Sequence, residues 1–100
     1  MCIGTGIGAL DEITKISSHT KLSPFFVPKI LMNLLPSHLA IHHGFLGPNH
    51  ACSTACATGG NSIGDAMRFI QYGDADVMVA GAAESCLDSD VGMAGFSRMK

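Results

Sequence analysis

The stretch ACSTACATGG, from Ala51 to Gly60, lies where one kind of sequence pattern gives way to another. The overlapping residues 49–56, NHACSTAC, have the composition of a β-strand that ends abruptly. From Ala57 to Tyr72 the apolar residues recur at the spacing of a helix. The apolar side chains that share one face of this predicted helix are Ile63, Ala66, Met67 and Ile70. The stretch is therefore predicted to be a strand-to-helix junction.

A second strand is predicted directly after this helix. Gly73 is a natural helix stop, and residues 75–85, ADVMVAGAAES, form a short, continuous apolar run after acidic residues. Such a run is typical of a buried strand in a parallel sheet that is covered on both faces. Strand, helix and strand with short joints form the crossover unit of α/β proteins, so the sequence predicts the α/β fold class.

The amino-terminal half is predicted to be less regular. Residues 2–8, CIGTGIG, indicate the end of a strand that runs into a glycine turn, and residues 9–18 indicate a short helix. A further helix is expected with Pro28 in its first turn, a position that suits proline. Pro36 interrupts the apolar stripe of that helix and is expected to kink or end it, since a proline inside a helix costs about 3 kcal/mol.

The composition limits the kind of protein. With 100 residues the chain has room for one domain. It is 47% hydrophobic and only 14% charged, with a mean hydropathy of +0.33. That is more apolar than a free-standing domain of this size, which exposes much of its surface, so a part of a larger protein or an obligate oligomer is favoured. A net charge of −2 offers no electrostatic case for binding nucleic acid or an anionic membrane.

Neither a membrane span nor a targeting segment is expected. The apolar runs are broken by Gly, Pro, His or Asp and stay well below the roughly 18 residues that a span needs. After Met1 come glycines and then Asp11 and Glu12, rather than the basic start and apolar core of a secretory signal. The four cysteines stand at the irregular positions 2, 52, 56 and 86, which favours a reducing compartment over a disulfide framework.

Cys56 is the candidate nucleophile, at the predicted start of the helix and among small residues that permit a sharp turn. The first turn of a helix carries unpaired N–H groups and a partial positive charge, and both favour a thiolate. The backbone N–H of Cys56 also suits the oxyanion that forms when the sulfur attacks a carbonyl. Cys52 lies back in the predicted strand, where a small buried hydrophobe is expected. An inert structural role for Cys56 is the alternative that these features leave open.

Three other kinds of site have less support. A zinc half-site at Cys52 and Cys56 needs further ligands, and His42, His43 and Cys86 stand at no regular metal spacing. The glycine-rich GTGIG lacks the last spaced glycine of the dinucleotide fingerprint. The sequence places no histidine near Cys56 as a base. We therefore expect neither a metal nor a cofactor.

Several motifs resemble those of the β-ketoacyl-[acyl-carrier-protein] synthases, most of all the elongating, KAS II-like condensing enzymes. The active-site signature of that family, Thr-Ala-Cys-small-small-Gly, is matched by residues 54–59, TACATG. Further matches follow in the same order along nearly the whole chain: GTGIG (4–8), SPFFVPKIL (23–31), GPNHA (47–51), YGDADVMVAG (72–81) and GFSR (95–98). Two of them, SPFFVPKIL and GPNHA, lean toward the mitochondrial branch of the family.

The resemblance implies a partial thiolase-like α/β fold, part of the first half of a layered α-β-α-β-α enzyme. Residues 1–100 would then be a partial synthase N-terminal domain, incomplete at both ends. It also implies an acyltransferase of fatty acid biosynthesis in which Cys56 accepts an acyl group from acyl carrier protein. Malonyl-carrier protein then decarboxylates, and its carbanion attacks the thioester and lengthens the chain by two carbons. The implied partner is acyl carrier protein, and the implied compartment is the mitochondrial matrix, with the cytoplasm as the alternative.

The resemblance assigns roles to three further places. Phe26 matches the second phenylalanine of the family's PFF, and Ile7 matches an apolar position after its glycine turn. Both are implied to line the acyl pocket, with plain core packing as the alternative. The segment from His50 to Ala55 resembles the strand through which the family forms homodimers, and an unpaired edge strand in an isolated chain favours such pairing.

Part of the family's active site has no match in this chain. Two histidines and a lysine complete that site, and they belong to the downstream half of the family. The five histidines of this chain match neither catalytic one: His19, His38, His42, His43 and His50. We therefore expect a fragment that carries the nucleophile but does not complete condensation alone. The alternative is a non-catalytic piece or degenerate copy that pairs with a full-length synthase.

Overall fold

A computed structural model describes residues 1–16, 22–86 and 90–99. Within them the elements are β1 (Cys2–Gly4), α1 (Leu10–Thr14), α2 (Phe26–Ile30), α3 (Leu34–His43), α4 (Thr58–Gln71), β2 (Ala80–Ala82) and α5 (Asp90–Ser97). A 3-10 turn at Ala55–Ala57 directly precedes α4. No helix in these three ranges is long and apolar enough to cross a membrane.

The strands form a small parallel sheet with β1 in the middle. β1 and β2 pair in parallel, beginning with Cys2 opposite Ala80. On the other edge of β1, the His50 N–H donates to the Met1 carbonyl at 2.9 Å and the Ile3 N–H donates to the His50 carbonyl at 3.2 Å. This second pairing is also parallel. The predicted parallel crossover, in which α4 leads from the His50 edge to β2, is therefore confirmed.

The strand predicted at residues 49–56 is wrong in extent, because His50 alone forms a bridge to β1. After it, bonds to side chains replace a regular strand ladder. The Ser53 hydroxyl donates to the Gly6 carbonyl at 3.2 Å, and the Thr54 N–H donates to the Thr58 hydroxyl at 2.9 Å. The chain therefore leaves the sheet early and turns into the elbow that begins α4.

Helix α4 and its end follow the sequence pattern closely. Gly73 adopts a φ of +82°, a left-handed conformation that glycine adopts without a steric penalty. Its N–H donates to the Ile70 carbonyl at 3.1 Å, and the Asp74 N–H donates to the Phe69 carbonyl at 2.9 Å. These two bonds form a Schellman motif, which satisfies carbonyls at the end of the helix. The predicted stop at Gly73 is confirmed.

The effect predicted for Pro36 is wrong. The first of the two helices begins at Phe26, two residues before Pro28, and it ends where Leu31 adopts an extended ψ of 120°. A new helix begins at Leu34, so Pro36 is its third residue and is buried. Since N–H groups in a first helical turn have no intrahelical acceptor, a proline there costs no hydrogen bond. Pro36 therefore belongs to the start of α3 rather than to an interruption.

Two predicted elements are shorter than expected. α1 occupies only Leu10–Thr14 of the predicted 9–18, and residues 17 and 18 lie outside the described ranges. β2 occupies only Ala80–Ala82 of the predicted 75–85. Val77 and Val79 are exposed, so this run is not covered on both faces as predicted.

The core lies where α4 and α3 pack on the sheet. The molecule measures 46 × 38 × 17 Å. Since a helix with its side chains is about 10 Å across, the thin dimension has room for the sheet and one layer of helices. Of the four residues predicted to share the buried face of α4, only Ala66 is buried. The buried side chains contributed by α4 are small: Thr58, Ser62 and Ala66.

Candidate active site

Cys56 lies at an elbow between the His50 edge of the sheet and helix α4. It is the middle residue of the 3-10 turn Ala55–Ala57, and it is exposed. Ala55 has a φ of +51°, in the left-handed region that costs a residue with a β-carbon about 1–2 kcal/mol. The first N–H groups of a helix have no intrahelical acceptor. The thiol and N–H groups suited to an oxyanion therefore belong to the same helix start.

Thr58 holds this elbow in place. Its hydroxyl donates to the Ala55 carbonyl at 2.7 Å and accepts the Thr54 N–H at 2.9 Å. The Asn61 side-chain amide donates to the Thr54 hydroxyl at 2.6 Å. Because Thr58 is only 2% exposed, loss of its hydroxyl would leave shielded polar groups without a partner. Local hydrogen bonds therefore help to offset the strained backbone at Ala55.

The backbone of β1 passes close to the elbow at Gly4. A β-carbon at this position would overlap the Cys52 carbonyl oxygen and the Thr58 methyl group. The overlap with a backbone carbonyl is not relieved by turning a side chain. Glycine at position 4 therefore sets how closely the strand, the elbow and the start of α4 approach one another.

Cys56 faces a cleft of about 420 Å³. The lining includes Ile7 from the glycine turn, Ala82 from β2 and Phe96 from α5. The structure thus brings Ile7 and Cys56 to the same cleft. Phe26 lies half-buried at the first position of α2 and is not among the residues that line the cleft. The acyl-pocket roles of Ile7 and Phe26 stay predictions.

Glu84 anchors the glycine turn that forms one wall of the cleft. Its carboxylate accepts the backbone N–H groups of Gly6 and Ile7 at 2.8 and 2.9 Å, and the Thr5 hydroxyl at 3.1 Å. The Thr5 hydroxyl in turn accepts the Gly8 N–H at 3.1 Å. Consecutive N–H groups of this kind form anion-binding concavities. A carboxylate of the chain itself fills this one, so the structure gives no support to a nucleotide site at GTGIG.

The cysteines occupy different surroundings, and all four are free thiols. The Cys52 sulfur lies 3.1 Å from the Ser62 hydroxyl and 3.5 Å from the Thr58 carbonyl, so it packs toward α4. Cys2 is fully buried in β1. Burial raises the pKa of the Cys2 thiol; the neighbouring Cys52 and Asp65 raise it further, whereas the Ser62 hydrogen bond lowers it.

Two residues that shape the site were not singled out from the sequence. Thr58 matches a position of the family motif, and a threonine at a helix start is a recognised signal for local side-chain-to-backbone hydrogen bonds. Glu84 is 77 to 79 positions away from the groups that it binds, so no local pattern indicates its role. The structure also brings together three potential metal ligands from separate elements: Cys2, His50 and Asp65.

The sequence matches a known family over its whole length. The family profile described as "Beta-ketoacyl synthase, N-terminal domain" matches residues 1–100. The chain is 53% identical over 104 residues to the mitochondrial 3-oxoacyl-[acyl-carrier-protein] synthase of Arabidopsis thaliana, covering 98% of this chain and 22% of that protein. It is 48% identical over 106 residues to 3-oxoacyl-[acyl-carrier-protein] synthase 2 of Vibrio harveyi, covering 100% of this chain and 25% of that protein. The chain thus spans about a quarter of the length of these relatives.

The fold also matches a solved structure, described as "The ishigamide ketosynthase/chain length factor". The TM-score is 0.78 at 21% sequence identity, over 96% of this chain and 28% of that one. At this identity the match bears on the fold alone. The predicted fold class, a partial thiolase-like α/β fold, is confirmed.

Proposed function

The chain belongs to the β-ketoacyl synthase family, and on that premise we propose that it supplies the nucleophile of a 3-oxoacyl-[acyl-carrier-protein] synthase. The observation that carries this proposal is the placement of Cys56, exposed on a strained elbow at a helix start and facing a cleft. A nucleophile of this kind needs access to its substrate and donors for the oxyanion, and both are features of an exposed helix start.

In the proposed reaction the Cys56 thiolate attacks the carbonyl carbon of an acyl thioester on acyl carrier protein. A new carbon–sulfur bond forms, the bond to the carrier sulfur breaks, and the carrier leaves as a thiolate that takes up a proton. The backbone N–H of Cys56 stabilises the oxyanion in between. Malonyl-carrier protein then loses carbon dioxide, and the resulting carbanion displaces Cys56 to give a product longer by two carbons. The two histidines and the lysine that complete this second stage in the family have no match among these 100 residues.

Ile7 and Phe26 are proposed to contact the acyl chain. Support for Ile7 is its position on the wall of the Cys56 cleft, where the Glu84 carboxylate fixes its backbone. Support for Phe26 is its match to the family motif alone. An apolar wall in the same cleft as the sulfur favours an acyl chain over a polar substrate, because burying methylene groups gains about 0.8 kcal/mol each.

The first test measures acylation of the thiol. We expect the chain, mixed with acyl-[acyl carrier protein], to gain the mass of one acyl group, and Cys56→Ser to abolish this gain. Cys86→Ser is the matched control, because it removes another thiol that lies outside the cleft. Intact-mass spectrometry with peptide mapping locates the acyl group. Acylation that persists in Cys56→Ser, or that maps to Cys86, would contradict the proposal.

A second test addresses the pocket. Ile7→Ala is expected to change the dependence of the acylation rate on acyl length, because the shorter side chain widens the cleft. Ile13→Ala removes an equal side chain from α1, where Ile13 is exposed and outside the cleft lining. Rates with short and long acyl carriers are compared for the two variants. If both variants change the dependence on acyl length equally, Ile7 does not line the acyl pocket. That result would leave the proposed role of Cys56 unaffected.

We also propose a homodimer that forms through the segment from His50 to Ala55. Its support is the family resemblance together with the geometry of this edge, where both backbone groups of His50 are used by β1. The N–H of the next residue, Ala51, donates to no backbone group of the described residues. Ala51→Pro, which removes that N–H, is expected to shift the sedimentation coefficient from dimer to monomer. A parent chain that sediments as a monomer would overturn this part of the proposal.

For the compartment we propose the mitochondrial matrix. The support is the 53% identity to the mitochondrial synthase of Arabidopsis thaliana. Fractionation with protease protection is expected to recover the protein inside mitochondria. Recovery in the cytosolic fraction would favour the alternative compartment.

A further inference from the structure

Three side chains that can ligate a metal meet where α4 packs on the sheet. Cys2 comes from β1, His50 from the neighbouring edge and Asp65 from α4. Their ligand atoms all lie within 4.8 Å of one another. We propose that Cys2, His50 and Asp65 form a binding site for Zn²⁺, although the spacing of the sequence predicted no metal.

The backbone explains why the three side chains converge. His50 and Cys2 are paired residues of a parallel bridge, and side chains of directly paired residues lie on the same face of a sheet. α4 packs against β1, and Asp65 lies one position before the buried Ala66. Three separate segments of backbone therefore bring one sulfur, one imidazole and one carboxylate to the same place.

The distances suit a tetrahedral zinc ion. With Zn–S near 2.3 Å and Zn–N and Zn–O near 2.0–2.2 Å, the ligand atoms of a tetrahedron lie about 3.4 to 3.6 Å apart. His50 Nε2 already lies 3.4 Å from Asp65 Oδ2. Since no ligand pair exceeds 4.8 Å, a movement of about 1 Å completes the geometry. Water takes the fourth position, because the His50 side chain is 45% exposed.

The chemistry of the ligand set favours zinc over harder ions. Magnesium and calcium take oxygen ligands, whereas a thiolate with an imidazole is typical of zinc. A thiolate and a carboxylate together balance the charge of one divalent ion. Arg68 Nη1 lies 3.4 Å from the other carboxylate oxygen, Oδ1, which leaves Oδ2 for the ion. The Phe69 ring packs edge-on against the imidazole at 5.9 Å and limits its rotation, as outer contacts do in known metal sites.

The competing interpretation is an ion pair beside a core thiol. His50 and Asp65 are close enough to pair without a metal, and the buried Cys2 sulfur would then serve packing only. The two interpretations differ in one measurable respect: an ion pair does not involve the sulfur, whereas a zinc site requires it. Cobalt(II) tests this difference, because a cobalt–thiolate bond gives a charge-transfer absorption that imidazole and carboxylate ligands do not give.

The experiment titrates the chain with Co²⁺ and then displaces it with Zn²⁺. We expect one Co²⁺ per chain, a thiolate charge-transfer band and tetrahedral d–d bands that Zn²⁺ abolishes. Cys2→Ser is expected to remove the charge-transfer band. His50→Gln and Asp65→Asn are each expected to weaken Zn²⁺ binding at least about 100-fold, since even loss of an outer contact costs 10- to 100-fold.

Two controls match these variants. Cys56→Ser removes an exposed thiol and His42→Gln removes an exposed imidazole, and neither residue belongs to the cluster. Both are expected to leave the spectrum and the affinity unchanged. Circular dichroism reports whether each variant keeps its helices, and His50→Gln, a surface change, stays informative if Cys2→Ser unfolds. Absence of the charge-transfer band, its loss in Cys56→Ser, or equal affinity in His50→Gln and the parent would overturn the proposal. None of these outcomes bears on acylation of Cys56.

Discussion

Two stripes of side chains, one small and one large, run side by side along helix α4, and only the small one is buried. The stripe of small side chains, Thr58, Ser62 and Ala66, is 2%, 0% and 4% exposed. The stripe of large side chains, Ile63, Met67 and Ile70, is 61%, 54% and 42% exposed. Hydrophobicity alone would bury the second stripe. The fit to the sheet, rather than the apolar area of the side chains, therefore decides which stripe of this helix is covered.

The composition of the sheet explains why the stripe of small side chains is the buried one. Where α4 crosses β1 and β2, the strands present the small residues Cys2, Gly4, Ala80 and Ala82 on one face. Side chains this small let the helix approach closely, and a β-carbon added at Gly59 would lie 3.7 Å from the Ala82 β-carbon. This close approach also places the first turn of α4 over β1, directly after the 3-10 turn that contains Cys56. The small stripe therefore serves the position of the candidate nucleophile as well as the core.

The largest effect is expected where the small stripe meets β1. Gly4→Ala puts a β-carbon into the Cys52 carbonyl and Thr58, and we expect a loss of about 3 kcal/mol in the free energy of unfolding. Gly81→Ala is the matched control, because this glycine of β2 has open space where the β-carbon would lie. Urea unfolding followed by circular dichroism measures both. Equal losses in the two variants would show that the close approach at Gly4 does not matter.

A second variant introduces a large side chain into the stripe of small side chains. Ala66→Leu is expected to cost about 2 kcal/mol, because a core with no spare volume responds to added methylenes by shifting backbone or side chains. Met67→Leu, one residue along the helix, changes an exposed side chain and is expected to stay within about 0.5 kcal/mol of the parent. The same unfolding assay compares the pair. A reversed order would mean that the large stripe is the covered one.

The third prediction concerns the hydroxyl that the small stripe contributes to the elbow. Thr58→Val removes the partner of the Thr54 N–H and of the Ala55 carbonyl, and we expect a loss of about 1–2 kcal/mol. Thr58→Ser keeps the hydroxyl and is expected to keep most of the stability. The rate of Cys56 alkylation by iodoacetamide is expected to change in Thr58→Val and to stay near the parent value in Thr58→Ser. Identical alkylation rates in both variants would show that the Thr58 hydroxyl does not hold the elbow in place.

Sequence and structure agree where the governing interactions are local. α4, its stop at Gly73 and the elbow at Cys56 depend on residues a few positions apart, and all three follow from the pattern of the sequence. The prediction for Pro36 is wrong because the sequence does not show whether a proline interrupts one helix or lies in the first turn of the next. The break at Leu31 that decides between these has no proline or glycine to signal it.

The remaining differences are non-local. The covered stripe of α4 depends on Gly4, more than fifty residues earlier in the sequence, and no periodicity within the helix contains that information. The same is true of Glu84, whose partners lie in the glycine turn near the other end of the chain. Of the candidate site, the position of Cys56 at a helix start follows from the sequence, whereas the residues that shape the cleft require the fold.

The smallest effect on stability is expected on the large stripe. Met67→Gln together with Ile63→Gln replaces two exposed apolar side chains, so the free energy of unfolding is expected to change by no more than about 0.5 kcal/mol. Self-association is expected to fall instead, because contiguous exposed apolar surface favours contact between molecules. Arg68→Gln, which changes an exposed polar residue of the same helix, is the control. Sedimentation and unfolding are measured together, and a large loss of stability without a change in association would show that the large stripe is packed against this chain.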